Sequence, residues 1–353
     1  MPGVGAWIRN GWPIPAEQLE FAVQHYRVAI LQPWELTAAA TLKAARPDMT
    51  VLAYKCLSSS RDYESGPIFS SGIPHAEAVA EDLFARRLDG SRIEWTDYPG
   101  HWQLRPWDPD YRRRWLQNVV PEIATTAFDG VFADNDVFDD YYGLDWPITG
   151  ISNAAELRAG LTTLVHEAGA ALNAAGKILV PNIAEARREP GRWDSHAAFG
   201  GGMEETWLGW APDKLYDADT ALAQMHQLTG PGLSILRVPT DGDDQHPNFR
   251  YGLAAFWVFG GGAGAYTATG RDDHSTTQWI PQLDWDLGRP LSEPMDDNGA
   301  WTREFSAGWA AVNLHHDRTV HVRAPGCLID AQGGPARRRV TLAPHRGLLL
   351  RRA

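Results

Sequence analysis

Long apolar stretches, cysteine pairs and basic runs are all missing from this chain of 353 residues. No segment approaches the roughly 20 apolar residues of a membrane-spanning helix, and no cationic segment with a following apolar run opens the chain as in a signal peptide. The two cysteines, Cys56 and Cys327, lie far apart and form no CxxC pair, so we expect reduced thiols. These absences predict a soluble cytoplasmic protein.

The chain is acidic, with a formal net charge of -12 and a pI of about 5.4. Its 32 Lys and Arg residues form no run longer than the triplets Arg112–Arg114 and Arg337–Arg339. Binding to nucleic acid or to an anionic membrane needs a sustained basic surface, so neither partner is expected. Phosphate-binding loops, HExxH and EF-hand spacings are also absent, and we expect no cofactor and no metal. The oligomeric state stays open.

Tryptophan, in contrast, is abundant: the chain has 16, many of them beside glycine, proline or aspartate. A Trp in a loop offers a flat apolar face with a polar edge, which suits the C–H face of a sugar ring. Packing in the core is the alternative for any single Trp. The whole set favours a carbohydrate substrate, and the candidate substrate-binding residues among them are Trp7, Trp34, Trp207 and Trp210.

Short apolar runs alternate with longer amphipathic segments, a pattern typical of βα units around a parallel sheet. We count eight runs, at 5–9, 28–32, 50–56, 130–134, 177–181, 200–205, 234–239 and 263–267. Helices are predicted at 76–88, 110–124 and 153–175, the last with Asn153 and Glu156 as a capping pair. Ser91–Asp110 is predicted to be an ordered loop over the site. The predicted fold is α/β, a TIM (β/α)8 barrel.

The pattern changes near the end of the chain. Residues 303–353 alternate with a period of two between turn signals, which predicts antiparallel strands. We therefore assign residues 1–295 to the catalytic barrel and residues 296–353 to a small C-terminal domain of antiparallel β structure, similar to a β-sandwich.

Carboxylates at the carboxyl ends of barrel strands have priority as catalytic groups. Asp134 ends the apolar strand VFA, and Glu204 and Glu205 end the sixth run. Glycoside cleavage needs one ionised carboxylate, as nucleophile or base, and one protonated carboxyl group. We assign the first role to Asp134 and the second to Glu205, or else to Glu204. Successive strand residues alternate faces, so only one of the two glutamates can point inward.

Other polar residues near strand ends are candidates for substrate binding. Asp136 follows Asp134, and Asn182 comes just after the fifth run, where its amide could bind a sugar hydroxyl. Lys55 and Arg237 lie in the third and seventh runs and could line the pocket or pair with its acids. For Arg237, structural pairing with an acid is the stronger interpretation.

Two other functions stay open at this point. Asp134-Asn135-Asp136 is a DxD triplet of the kind that holds a divalent ion against a nucleotide diphosphate in a glycosyltransferase. Alternatively, the barrel could bind sugar on its Trp residues without catalysis.

Two segments resemble a known family. FDGVFADN, at 128–135, resembles the fourth-strand signature FDGVFxDN of bacterial glycosidase barrels, and the stretch DWDLGRPLSEP followed by WTREFSAGWAAVNL is similar to the ending of the same group. That group is the hypothetical glycosyl hydrolase family 15, which is unrelated to the glucoamylases. The resemblance implies a TIM barrel with a small C-terminal β domain, a catalytic Asp on strand four and an acid on strand six. Related barrels are often retaining α-glycosidases.

Overall fold

The computed structural model describes residues 3–9, 13–270 and 278–352. The α-helices are α1 Ala16–His25, α2 Leu36–Ala45, α3 His75–Ala80, α4 Pro109–Ala124, α5 Ala154–Ala174, α6 Arg192–Ala197, α7 Ala218–Ala223 and α8 Pro247–Gly260. Three short 3-10 helices cover Ala186–Arg188, Met225–Thr229 and Pro281–Asp284. The strands are β1 Gly5–Arg9, β2 Tyr26–Leu31, β3 Thr50–Cys56, β4 Ser59–Arg61, β5 His101–Gln103, β6 Gly130–Asp136, β7 Ile178–Ile183, β8 Gly201–Glu204, β9 Gly209–Ala211, β10 Lys214–Leu215, β11 Leu233–Pro239, β12 Ala265–Thr269, β13 Met295–Asp297, β14 Ala300–Glu304, β15 Gly308–Asn313, β16 Val320–Arg323, β17 Leu328–Ile329, β18 Arg339–Leu342 and β19 Arg346–Arg352.

Eight of these strands form a closed barrel in the order β1-β12-β11-β8-β7-β6-β3-β2. Each corresponds to one of the eight predicted apolar runs, so the predicted (β/α)8 barrel is confirmed. In the parallel pair β3 and β6, Tyr54 lies opposite Phe132 and Cys56 lies opposite Asp134. Parallel strands bring their carboxyl ends to one end of the barrel, where active sites of this fold are built.

The sixth barrel strand, β8, is rich in glycine for a steric reason. Gly201 has a φ of +144°, and a Cβ on this residue would lie 2.1 Å from the carbonyl oxygen of Leu233 at the start of β11. Only glycine combines this conformation with such a close approach of two backbones. Close backbone packing therefore explains a strand that residue propensity alone makes weak.

The best helix prediction, at 153–175, is confirmed by α5. Asn153 is its N-cap, because the side chain accepts hydrogen bonds from the backbone N of Ala155 at 2.9 Å and of Glu156 at 3.2 Å. Gly176 follows the helix with a left-handed φ of +72°. The helix predicted at 110–124 is also confirmed, as α4.

The helix predicted at 76–88 is wrong beyond Ala80, where α3 ends. Asp82 has a left-handed φ of +51°, and Phe84 and Arg86 then form β-bridges with Leu104 and Arg92. The tertiary pairing supplies the backbone hydrogen bonds that a longer helix would have supplied, and it outweighs the helical periodicity of the sequence.

Antiparallel strands from Met295 onward confirm the predicted C-terminal β structure. A five-stranded sheet has the order β13-β14-β15-β19-β17, and β16 pairs with β18. Along β16, Val320 and Val322 are buried, whereas His321 and Arg323 are exposed. The buried face joins a hydrophobic core made of Ala300, Trp309, Ala311, Val320, Val322, Ala324, Leu328, Leu342 and Leu350.

Contacts divide the chain into two compact units. One contains the chain up to Ala29, Glu204–Gly230 and the residues from Ser234 onward, and the other contains Ile30–Met203 with Pro231–Leu233. No helix within the described ranges is long and apolar enough to cross a membrane.

Candidate active site

Asp134, near the carboxyl end of β6, has both carboxylate oxygens bonded to neighbouring side chains. The Tyr54 hydroxyl donates to Oδ2 at 2.6 Å, and Asn182 Nδ2 donates to Oδ1 at 3.0 Å. Tyr54 belongs to β3 and Asn182 to β7, the two strands beside β6. Asn135 Nδ2 adds a third hydrogen bond, to Oδ2 at 3.2 Å. Three neutral donors therefore fix the orientation of this half-buried carboxylate.

The backbone changes direction directly after Asp134. Asn135 has a left-handed φ of +70°, which asparagine tolerates better than most residues, and the pairing of β6 with β7 shifts register between Ala133 and Asp136. The Asn135 amide also donates to the Sγ of Cys56 at 3.2 Å. Residues two apart on a regular strand share a face. Because of the shift, Asp134 and Asp136 have entirely different partners.

Asp136 is fully buried in an ionic cluster, so it is better explained as a structural acid than as the predicted substrate-binding residue. Arg192 Nη2 donates to Oδ1 at 2.7 Å, and His196 Nδ1 lies 2.5 Å from Oδ2. Although burial opposes ionisation, Arg192 and His196 hold the pKa of Asp136 below its usual value. With both oxygens engaged, Asp136 does not join Asp134 in holding a metal ion through the DxD triplet.

No group of three or more His, Cys, Asp or Glu within the described part of the chain is arranged to hold a metal ion. The second aspartate of the DxD triplet, Asp136, is engaged by Arg192 and His196. The side chains of the triplet therefore give no support to the glycosyltransferase alternative.

A partly buried arginine lies behind Tyr54, with 11% of its side chain exposed. Arg61 Nη2 donates to the Tyr54 hydroxyl at 2.9 Å, and Nη1 bonds Glu64 Oε1 at 3.3 Å. Burial, with a contribution from the charge of Asp134, raises the pKa of Tyr54 well above its usual value, so Tyr54 stays protonated and donates. Arg61, Tyr54 and Asp134 thus form a continuous hydrogen-bond chain with a cation at its far end.

An aromatic pair packs beside Asn135. The Tyr142 hydroxyl donates to Asn135 Oδ1, and the Tyr142 ring stacks on Trp95 with centroids 3.7 Å apart and planes 6° apart. Trp95 Nε1 donates to Gln103 Oε1 at 2.8 Å. Trp95 and Gln103 belong to the segment 91–110, in which β5 pairs with β4. The segment therefore has regular β pairing, and its Trp95 packs on the tyrosine that is bonded to Asn135, the residue next to Asp134.

His101 of β5 contributes a neutral imidazole to this unit. Its Nε2 lies 2.7 Å from the Tyr63 hydroxyl, and its Nδ1 lies 3.5 Å from Ser59 Oγ. Burial, and after it the positive charge of Arg61, lowers the pKa of His101 to about 4. The imidazole is therefore uncharged near neutral pH.

Lys55 is fully buried in an ion pair with α4. Its Nζ lies 2.7 Å from Glu122 Oε1 and donates to the carbonyl oxygen of Phe69 at 2.5 Å. Lys55 follows Tyr54 on β3, and successive residues of a strand face opposite sides. The ion pair replaces the pocket role predicted for Lys55, and Tyr54 is the residue of this strand that reaches Asp134.

The two glutamates after β8 differ in their surroundings. Glu204 is fully buried: Oε1 accepts from the Thr206 hydroxyl at 2.7 Å and from the Thr206 backbone N at 3.2 Å, and Oε2 accepts from Gln227 Nε2 at 3.3 Å. Glu205 is only partly buried. Its backbone carbonyl accepts a hydrogen bond from Arg237 at 2.8 Å. Glu204 is therefore held by structural contacts, which favours Glu205 in any role at the surface of a pocket.

Two of the four tryptophans predicted to bind sugar lie in the core. Trp7 is 1% exposed and stacks on Tyr26, with ring centroids 6.0 Å apart. Trp207 is fully buried and meets Tyr266 edge to face at 6.3 Å. For both residues the structure favours the alternative of core packing over the predicted contact with sugar. Trp34 is half-buried.

Trp210 is the exposed member of the set. With 39% of its surface exposed, it lines a cavity of about 220 Å³ together with Lys214 and Arg237. Arg237 donates from Nε to Thr269 Oγ1 at 2.7 Å and from Nη2 to the Thr269 carbonyl at 3.0 Å. Its bonds thus tie two barrel strands together, while one edge of the guanidinium group borders the cavity.

Two predicted residues, Asp134 and Asn182, are in direct contact, but most of their neighbours are not predicted from the sequence. Tyr54 and Arg61 are not among the predicted residues, and Asn135 is predicted only as the middle residue of the DxD triplet. The sequence signal for Tyr54 is its place beside Lys55 near the end of β3, because only one of two successive strand residues can face the barrel interior. Charge favours Lys55 in the sequence, but Tyr54 is the residue that contacts Asp134.

Three solved α-amylase structures have a fold similar to that of this chain. A maltogenic α-amylase from Thermotoga neapolitana superposes with a TM-score of 0.57 at 7% identity, covering 99% of both chains. An α-amylase from Geobacillus thermoleovorans, solved with acarbose, gives 0.50 at 10% identity, covering 98% of this chain and 97% of that one. An Anoxybacillus α-amylase gives 0.50 at 9% identity, covering 96% and 89%. At these identities the likeness establishes the barrel fold.

A protein-family model matches residues 43–309, more than half of the chain, from within α2 to the start of β15. Together with the barrel, this match defines the chain as a glycoside hydrolase. The family is the one described as hypothetical glycosyl hydrolase family 15, and the chain belongs to it. No curated protein matches the chain.

Proposed function

We propose that this glycoside hydrolase cleaves O-glycosidic bonds of an oligo- or polysaccharide by a two-carboxylate mechanism that retains configuration at α-linkages and also permits transglycosylation. Asp134 attacks the anomeric carbon as the nucleophile, and Glu205 protonates the leaving oxygen and then activates water. The resemblance of the fourth-strand signature to retaining barrels supports the assignment to α-linkages.

The observation that carries the proposal is the charge environment of Asp134. Within the described chain, its carboxylate is bonded only to the neutral donors Tyr54, Asn135 and Asn182. Three other acids of the same unit are instead paired with arginine: Asp136 with Arg192 at 2.7 Å, Glu64 with Arg61 at 3.3 Å and Glu185 with Arg188 at 3.0 Å. An oriented carboxylate with no bound cation stabilises the positive charge of an oxocarbenium-like transition state.

The choice of Glu205 as proton donor follows from the contacts of Glu204. Thr206 and Gln227 hold the Glu204 carboxylate in the protein interior, whereas Glu205 is only partly buried. An acid that serves a leaving group must be reachable by the substrate. Trp210, with 39% of its surface exposed, offers a ring face on which a sugar can stack. Asn182 serves the reaction by orienting Asp134.

The experiment uses aryl α-glycosides and α-linked oligosaccharides as a substrate panel, with anomer stereochemistry followed by NMR. Asp134→Asn and Glu205→Gln each lower kcat/KM on the best substrate by at least ~10²-fold, the lower range for removal of an acid or base. With Asp134→Gly, added azide restores turnover and yields a glycosyl azide of inverted configuration, because a small anion replaces the missing nucleophile.

Two matched variants serve as controls. Glu204→Gln changes a neighbouring acid with structural contacts, and Asp139→Asn changes an exposed acid in the loop after β6. Both retain catalysis in the folded protein. Full activity of Asp134→Asn would refute the proposal. Tight sugar binding with no turnover on any substrate would instead support the non-catalytic barrel.

A further inference from the structure

A groove on the C-terminal β structure concentrates arginine in an otherwise acidic protein. The cavity has a volume of about 460 Å³ and is lined by Asp297, Asn298, His321, Arg323, Arg338 and Arg339, with Val322 at its base. We call it the arginine groove. Three arginines and a histidine thus surround one aspartate, although the whole chain carries a net charge of -12. None of these residues belongs to the proposed catalytic site.

The strand pairing places two of the arginines side by side. β16 and β18 are antiparallel, and Arg323 lies directly opposite Arg339. Both are exposed, while the other face of β16 buries Val320 and Val322 in the core. Neighbouring strands lie about 4.8 Å apart, and like charges directly opposite each other destabilise a sheet. The hydrophobic face fixes the register, so the backbones of Arg323 and Arg339 stay adjacent and both side chains extend from the same exposed edge of the pair.

None of the three arginines is neutralised within the described part of the chain. The side chains of Arg323, Arg338 and Arg339 form no ion pair or hydrogen bond with the described residues. Arg61, Arg188, Arg192 and Arg352, in contrast, are each paired with an acid. Asp297 accepts a hydrogen bond at Oδ2 from the Arg323 backbone N at 3.3 Å. Arg338 lies over Gly326, where a Cβ would come within 2.8 Å of Nη2.

We infer that the arginine groove binds a carboxylated polysaccharide, separately from catalysis. Guanidinium groups bind carboxylates through paired N–H donors, and a row of carboxylates along a glycan matches arginines on adjacent strands. The membership in a glycoside hydrolase family favours a glycan as the carrier of the anions. A nucleic acid needs a wider basic surface than three arginines on a protein of negative net charge.

The test measures binding of the whole protein to de-esterified polygalacturonate, with neutral dextran as the comparison polymer, by calorimetry at low and high salt. Wild type binds polygalacturonate and not dextran, and its affinity falls as salt rises. The triple variant Arg323→Gln/Arg338→Gln/Arg339→Gln loses at least tenfold in affinity. Its unfolding midpoint stays at or above that of wild type, because a like-charge pair is removed.

The matched control is Arg337→Gln, which removes one exposed charge from the same arginine triplet without lining the groove. It keeps wild-type affinity. Asp134→Asn also keeps it, so failure of the catalytic proposal and failure of this one are distinguishable. Equal binding by the triple variant, equal loss in Arg337→Gln, equal binding of dextran, or tighter binding of a DNA duplex would each overturn the inference.

Discussion

Tyr54→Phe tests the hydrogen-bond chain that orients Asp134, with a minimal change of shape. The hydroxyl accepts from Arg61 at 2.9 Å and donates to Asp134 at 2.6 Å, so the substitution removes two bonds and one atom. The aromatic ring keeps its packing against Phe132, whose centroid is 5.9 Å away. The substitution adds no atom, so it introduces no new steric contact.

The size of the effect follows from the charge of the two partners. A hydrogen bond to a charged group contributes about 1.5–3 kcal/mol, and 1.4 kcal/mol corresponds to a factor of ten. Loss of the bond to Asp134 should therefore lower kcat/KM by about 10- to 150-fold. Loss of the bond from Arg61 leaves a buried donor unsatisfied, which lowers the free energy of unfolding by ~1–3 kcal/mol.

Steady-state kinetics on the best substrate of the panel and urea unfolding measure the two effects separately. The control is Tyr251→Phe, another buried tyrosine, whose hydroxyl has no hydrogen-bond partner within the described chain. It should change neither kcat/KM nor stability appreciably. A folded Tyr54→Phe variant with wild-type kcat/KM would show that the Arg61–Tyr54–Asp134 hydrogen bonds do not contribute to catalysis, which would refute this prediction.

Two further predictions concern stability. Arg192→Met leaves Asp136 buried without its main cation and should lower the free energy of unfolding in urea by ~3–5 kcal/mol. The control, Arg188→Met, changes a half-exposed arginine and should lower it far less. Equal losses in the two variants would contradict the structural role of Arg192. The folded-state pKa of His101, about 4, lies below the ordinary 6.5, so the unfolded chain takes up a proton first as pH falls. The free energy of unfolding therefore falls between pH 6.5 and 4, by up to ~3 kcal/mol. Urea titrations at pH 7 and 4.5 should show a smaller fall for His101→Gln than for wild type. An equal fall in both proteins would exclude His101 as the cause of the pH dependence.

The barrel could be predicted because its signal is local. Each parallel strand is buried on both faces, so it appears in the sequence as an apolar run, and the segments between runs have the periodicity of helices. The same double burial hides which residues face the interior. Tyr54 and Lys55 are both buried, and only the positions of Asp134 and Glu122 separate their roles.

The helix predicted at 76–88 shows the limit of local reasoning in another way. Its periodicity continues beyond Ala80, but the bridges from Phe84 to Leu104 and from Arg86 to Arg92 compete for the same backbone groups. Leu104 is 20 residues from Phe84, and Arg92 lies across a turn from Arg86. A helical pattern of apolar residues contains no information about either pairing.

The sequence by itself determined the barrel, the position of Asp134 at the end of the fourth strand and the membership that its signature indicated. Only the tertiary structure decided which acids are neutralised and which are not. Asp136 meets its arginine across 56 residues of sequence, and Asp134 meets Tyr54 across 80. The pairing of a buried charge depends on which side chains the folded strands bring within hydrogen-bond distance. The order of residues in the sequence does not specify that distance. Asp134 is therefore distinguished from Asp136 only once the cation bound to Asp136 has been located.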